Sequence, residues 1–296
     1  MNVPAHIPSV IPAPGLELLS LNSATAKRWT ASEAIEGCVR AGIPGIGLWR
    51  DQVAATGLTK TAESARTAGL TVTSLCRGGF FTAPDAPGRA AAIEDNRRAV
   101  EEAAALGTDV LVLVVGGLPF GSRDLPGARR MVADGIAELA PYAAQHGVRL
   151  AIEPLHPMFC ADRAVVSTLG QALDLAEEIE GSTPPATAPP TIGVCIDTYH
   201  VWWDPQLYQQ IERAGAARRI LAFQACDWIL PLPADVLLGR GHVGDGHIDI
   251  RAIADAVAAA GYRGHTEVEI FNQQVWDTPG DETIQVITER HRQYLA

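Results

Sequence analysis

The sequence predicts a single (β/α)8 TIM barrel over residues 1–296, with residues 1–14 as an extension ahead of it. Three observations carry that prediction. Short apolar runs alternate with amphipathic, alanine-rich stretches of helical period. Eight such pairs occur, which argues for a closed parallel sheet. The length suits one barrel of this kind. A doubly wound open sheet is the competing arrangement. Against it, no G-x-G-x-x-G follows the first run, and no phosphate-binding P-loop occurs anywhere.

Each unit reads in order. ELLSLN (17–22) leads to a helix near 31–41, where Thr30 can cap and Glu33 sits three residues on. GIGLW (45–49) leads to a helix near 59–69, and TVTSLCRGG (71–79) to one near 89–106. DVLVLVV (109–115) precedes a helix near 124–146, and VRLAIEP (148–154) one near 168–180. TIGVCID (191–197) precedes a helix near 205–214, RILAFQA (219–225) one near 250–260, and HTEVEIF (265–271) one near 281–295. The Pro/Thr-rich GSTPPATAPPTIG (181–193) falls between a helix and a strand, so it is expected on the N-terminal rim as a structural loop.

Composition narrows the partners. The net charge is -11 and no Lys/Arg block occurs, so neither nucleic acid nor an anionic membrane surface is expected as a partner. With 47% hydrophobic residues a large core is expected, yet no apolar run is long enough to span a bilayer. Cys38, Cys76, Cys160, Cys195 and Cys226 are scattered and form no CxxC. They read as free or buried thiols in a reducing compartment, the cytoplasm. MNVPAHIPSVIPAPG has no basic start followed by an apolar run, so no leader is expected.

The chemistry is expected where the strands end, because active sites of such barrels lie on the C-terminal face. The fifth run ends in Glu153, the sixth in Asp197, the seventh in Gln224 and the eighth in Glu269. Carboxylates converging at the end of buried strands are costly without a cation. Three carboxylates and an amide carbonyl make an all-oxygen donor set. That set suits one divalent ion, Mn2+ ahead of Mg2+, Co2+ or Zn2+. His156 and His200 each lie three residues beyond a strand-end acid. Each is read either as a proton donor or acceptor or as a ring that only orients a carboxylate. Trp49, Trp202, Trp203, Trp228 and Trp276 all follow strands, which fits stacking on a sugar face or packing of a lid or interface. Arg77, in CRGG (76–79), is read as an anion or hydroxyl contact or as one half of a rim salt bridge. His242 and His247 either touch substrate or are exposed.

AIEPLHP, CIDTYH, FQACDW, GRGHVGDGHID and EVEIFN resemble motifs of the xylose isomerase-like TIM-barrel superfamily. The branch they resemble is the sugar phosphate isomerase/epimerase family, with its ketose 3-epimerases, hydroxypyruvate isomerases and inosose dehydratases. The resemblance runs from about residue 15 to the C-terminus and is strongest after residue 148. It implies metal ligation by Glu153, Asp197, Gln224 and Glu269, and substrate contact by Arg240. Glu267, one layer deeper than Glu269, is read as a supporting acid. Many epimerases of the family carry histidine where Gln224 stands, which shifts weight toward β-elimination.

The implied reaction is removal of a proton beside the carbonyl of a keto-sugar or cyclitol, through a metal-bound enediolate. Glu153 and Glu269 would serve as bases, with His156 or His200 as proton donor. Substrate would rest on Arg240, Trp49, Trp202, Trp228 and His242. The alternatives are a lyase using β-elimination, dehydratase-like or C-glycoside deglycosidase-like, and a barrel that binds sugar without turning it over. The expected partner is a small keto-sugar or glycoside. A homo-oligomer, or a hetero-oligomer with a small partner subunit, is also expected.

Overall fold

A parallel barrel closes when the last strand pairs with the first, and this chain does so. The computed structural model describes residues 9–182 and 189–296. Most of the extension and residues 183–188 of the Pro/Thr-rich loop therefore lie outside the described residues.

The first half contains β1 (Leu19–Asn22), α1 (Ala31–Ala41), β2 (Gly45–Trp49), α2 (Arg50–Thr56), α3 (Leu58–Thr67), β3 (Thr71–Gly79), α4 (Ala86–Leu106) and β4 (Val110–Val114). There follow α5 (Leu125–Gln145), β5 (Arg149–Ile152), α6 (Leu169–Glu180), β6 (Ile192–Asp197), α7 (Thr198–Val201), α8 (Leu207–Ala216) and β7 (Ile220–Ala225). The chain ends with β8 (Asp227–Trp228), β9 (Arg240–Gly241), α9 (Ile250–Ala259), β10 (Thr266–Val268), α10 (Gln273–Asp277) and α11 (Gly280–Tyr294). Strands β1 to β7 and then β10 form the closed parallel barrel, while β8 and β9 make a short antiparallel ribbon in the loop after β7. No described helix is long and apolar enough to cross a membrane.

The expected capping box is present. The Thr30 hydroxyl accepts from Glu33 N at 3.2 Å, and the Glu33 carboxylate accepts from Thr30 N at 2.7 Å. Asp85, Asp124, Thr168 and Asp249 cap α4, α5, α6 and α9 in the same way from one side. The structure adds three short helices, α2, α7 and α10, and the ribbon. None has enough residues to show a period in sequence. Two strands end two or more residues before the expected C-terminal end: β5 stops at Ile152 and β10 at Val268. Glu153 and Glu269 thus stand just past their ladders.

Strand alternation sorts side chains into two cores. Leu111, Leu113, Leu150, Ile152, Val194, Ile196, Phe223, Ala225 and Val268 face the helices in the large outer core. Cys76, Val110, Val112, Ala151, Cys195, Leu221 and Ala222 form a separate inner cluster. The inner set is small, and its parity continues upward: Ala151 to Glu153, Cys195 to Asp197, Ala222 to Gln224, and Glu267 to Glu269. Period-two geometry therefore aims all the strand-end polar residues into the barrel.

Below the rim, the Glu267 carboxylate fills the middle of the barrel. It accepts from Asn22 Nδ2 at 2.7 Å, Thr73 Oγ1 at 2.6 Å, Ser74 Oγ at 2.9 Å and Gln224 Nε2 at 2.9 Å. Gly47 makes the room: a Cβ there would meet this carboxylate at 2.4–2.5 Å. Gly47→Ala should therefore destabilise the fold by about 1–3 kcal/mol, read as a lower midpoint in denaturant unfolding. An unchanged midpoint would mean that Glu267 does not occupy the barrel centre.

Candidate active site

Four buried acids point into one end of this barrel, so the first question is what balances them. Glu153, Asp197, Glu267 and Glu269 are all buried. Glu267 has its four donors. Asp197 and Glu269 share Arg240, whose Nη1 lies 2.7 Å from Asp197 Oδ2 and 3.0 Å from Glu269 Oε2. The same nitrogen donates to the Glu269 backbone carbonyl at 3.2 Å. Glu269 Oε1 also accepts from Trp49 Nε1 at 3.2 Å, and Asp197 Oδ1 from Tyr199 N at 2.9 Å. Among the described residues, no donor reaches the Glu153 carboxylate.

The loop after β7 delivers Arg240. Asp227 is buried and pins that loop, accepting from Trp228 N at 2.8 Å, Ile248 N at 3.0 Å and Gly244 N at 3.0 Å. Asn272 Nδ2 donates to the Arg240 carbonyl at 2.7 Å. The guanidinium is then held between the rings of Tyr199 and Phe271, at 4.9 and 5.1 Å from their centroids.

Burial sets the ionisation of the cluster. It pushes the Glu153 carboxyl well up, with Asp197 and Glu269 adding repulsion. Burial likewise pushes Glu269 up to about 7, against the pull of Arg240. Asp197 is raised by burial but held back by Arg240 and by the Tyr199 N–H. His200 is driven well below its usual range, first by burial and then by Arg240, so its ring is neutral at neutral pH. Its Nδ1 accepts from His156 N at 3.2 Å, while its Nε2 lies 3.0 Å from Arg240 Nη2. A neutral ring has one acceptor nitrogen, so those two donors compete for it.

Glu153, Asp197 and His200 each offer an atom within 4.8 Å of the others, close enough to hold a cation. Gln224 is paired in register with Asp197. Its amide nitrogen is held by Glu267, which leaves Oε1 buried with no donor. A buried carbonyl without a partner costs about 1–3 kcal/mol. An orphaned carbonyl, a donor-free carboxylate and an anionic surplus together fit a divalent cation.

The site opens on a cavity of about 380 Å³ walled by Trp49, Glu153, His200, Arg240 and Glu269 among others. A larger cavity, about 480 Å³, lies among the strand starts at the other end and includes Arg149, Tyr262 and His265. It contains no cluster of acids, and its Asp109 is paired with Arg149.

Of the expected site residues, the structure gathers Glu153, Asp197, Gln224, Glu269, His200, Arg240 and Trp49. It does not bring Trp202, Trp228, His156 or His242 to the cavity wall. Trp228 stacks on Tyr199 with centroids 4.7 Å apart, and Trp202 packs against Trp228. The His156 ring lies against Trp203 and Trp228, and its Nδ1 accepts from Met158 N. His242 is half-buried beside the β9 ribbon. Arg77 lines the cavity, as do Lys27, Arg163, Phe271 and Trp276. Lys27, Arg163 and Phe271 were missed in the sequence reading, where only their positions in loops on the C-terminal side could have marked them.

Comparison with known proteins agrees with this fold. The model of the xylose isomerase-like TIM barrel family matches residues 35–290. The chain belongs to that family. It is 53% identical to the solved protein SMc04130 of Sinorhizobium meliloti 1021, with a TM-score of 0.89 over 94% of this chain and 98% of that one. The IolI protein solved with a bound zinc atom shares the fold at 20% identity, with a TM-score of 0.78 over 94% of this chain and 99% of that one. A 3-dehydroshikimate dehydratase of Pseudomonas aeruginosa is 30% identical over 174 residues, 56% of this chain. The match spans only 24% of that curated relative's length.

Arg240→Met should cost the metal-free protein about 3–5 kcal/mol at pH 8, because two buried carboxylates lose their counter-charge. The loss should shrink toward pH 5. Glu269, raised to about 7, is protonated there and needs no cation. Unfolding curves at the two pH values decide this; an equal loss at both would refute the charge account.

Proposed function

We propose that this chain is a divalent-metal-dependent enzyme of the sugar isomerase and epimerase type. It would remove a proton beside the carbonyl of a keto-sugar or cyclitol. The observation that carries the reading is the donor set itself. Glu153 has no partner, Gln224 Oε1 is orphaned, Asp197 lies close to Glu153, and Glu153 and Glu269 line one cavity.

Glu153, Asp197, Gln224 and Glu269 would hold the cation. When bound, it supplies positive charge against the oxyanion that grows as the proton leaves. The chain's own residues do the rest. Glu153, buried and free of donors, is the stronger base toward a carbon acid. Glu269 is oriented by Trp49 and Arg240 and, with its carboxyl raised to about 7, can deliver a proton of its own to the other face. Neutral His200, set between the His156 N–H and Arg240, positions the acids beside it. Trp49 and Trp276 present aromatic surface to the cavity, and Phe271 stands against Trp49 at 5.4 Å.

A lyase is the second reading. Gln224, where an imidazole would be the stronger donor, favours it, and so does the partial likeness to a dehydratase. Both readings share the first proton transfer and differ in its sequel.

Elemental analysis tests the cation. One equivalent of Mn, Co, Mg or Zn is expected in the purified protein and lost in a Glu153→Gln/Asp197→Asn variant. A protein that stays empty when supplied with Mn2+ rules the reading out. Uptake should tighten as pH rises through about 7, because it displaces protons held by Glu153 and Glu269. Titration calorimetry at pH 6 and 8 reads this. With keto-sugars in D2O, deuterium at the α-carbon marks epimerisation or isomerisation, whereas an enone or a freed aglycone marks elimination.

A further inference from the structure

The cavity carries three positive charges that the acid cluster does not consume. Arg77 and Arg163 are half-buried in its wall, and Lys27 stands at its rim. Among the described residues, no carbonyl or carboxylate accepts from the Arg77 guanidinium. Asp95, which lines the neighbouring pocket with Arg77, is paired instead with Arg50 at 2.9 Å. Arg163 Nε has no hydrogen-bond partner and lies 3.5 Å from Asp162, whose side chain is 63% exposed. Lys27 has no ion pair among the described residues.

Each cation is instead held by an aromatic ring. Arg77 lies 4.1 Å from the Phe80 centroid, Arg163 5.9 Å from that of Phe159, and Lys27 4.6 Å from that of Trp276. A ring face positions a cation without neutralising it. Two guanidiniums in one wall also repel each other, and desolvation adds to the cost of Arg77. Such an arrangement is stable once an anion sits between them.

We infer that the cavity takes a substrate bearing an anionic oxygen group, carboxylate or phosphate, which docks between Arg77 and Arg163. Arg77 and Arg163 line the same cavity as Glu153, His200 and Glu269, so that group anchors one end of the substrate beside the acid cluster. The carbon that loses its proton then faces Glu153. The inference rests on the proposed function in taking this cavity as the substrate site.

Three polyols of one skeleton test it without turnover: neutral D-sorbitol, D-gluconate and D-sorbitol 6-phosphate. Binding is measured by calorimetry with and without Mn2+. One of the two anionic probes should bind about tenfold or more tighter than sorbitol, the value of one charge-assisted contact. Which one wins identifies the group. Arg77→Gln and Arg163→Gln should each erase most of that preference while leaving the sorbitol affinity unchanged, which also shows the fold intact. Equal affinities in the wild type, no binding of any probe, or a preference that survives both substitutions overturns the inference. An anion preference in a protein that takes no Mn2+ would retire the proposed function and leave this inference standing. Mn2+ uptake without the preference does the reverse.

Discussion

The rest of this structure depends on burying four carboxylates inside one barrel. Each acid meets that cost differently. Glu267 sits deepest and is satisfied by two hydroxyls and two amides. Asp197 and Glu269 share one guanidinium. Glu153 has neither, so it is the acid with the greatest unmet demand for positive charge. The interior is built around this need. Ala151, Cys195, Ala222 and Gly47 are small, and they leave the space that larger apolar side chains fill elsewhere.

The barrel and the strand-end acids were legible because both follow from periodicity. An apolar run with period two fixes which residues face inward, and Glu153, Asp197, Gln224 and Glu269 share that parity with Ala151, Cys195 and Ala222. The aromatic residues were not legible in the same way. Trp49 follows its strand directly and reaches the cavity. Trp202 and Trp228 sit on segments that fold back on each other, and Trp228 spends its face on Tyr199. Nothing in the local sequence records such a fold-back. Arg77 shows the same limit. Whether an acid pairs with it depends on long-range partners, such as Arg50 with Asp95, which CRGG does not record.

The cavity is electrostatically two-sided. Carboxylates line its floor, and guanidinium and ammonium groups line its wall and rim. Arg240 belongs to the floor, because its charge is used by Asp197 and Glu269. Arg77 and Arg163 belong to the wall. A polar molecule entering this field is turned before it makes any close contact, since opposite ends are drawn to opposite sides.

Arg240 lies 43 residues beyond Asp197 in the chain, on the ribbon between the seventh and eighth barrel strands. During synthesis Asp197, at the end of β6, therefore leaves the ribosome before its counter-charge. A half-made barrel would set uncompensated charge against an apolar floor, and docking of its strands stays unfavourable. Compensation arrives with the loop that precedes the closing strand. Ring closure and charge compensation thus draw on the same late segment of the chain.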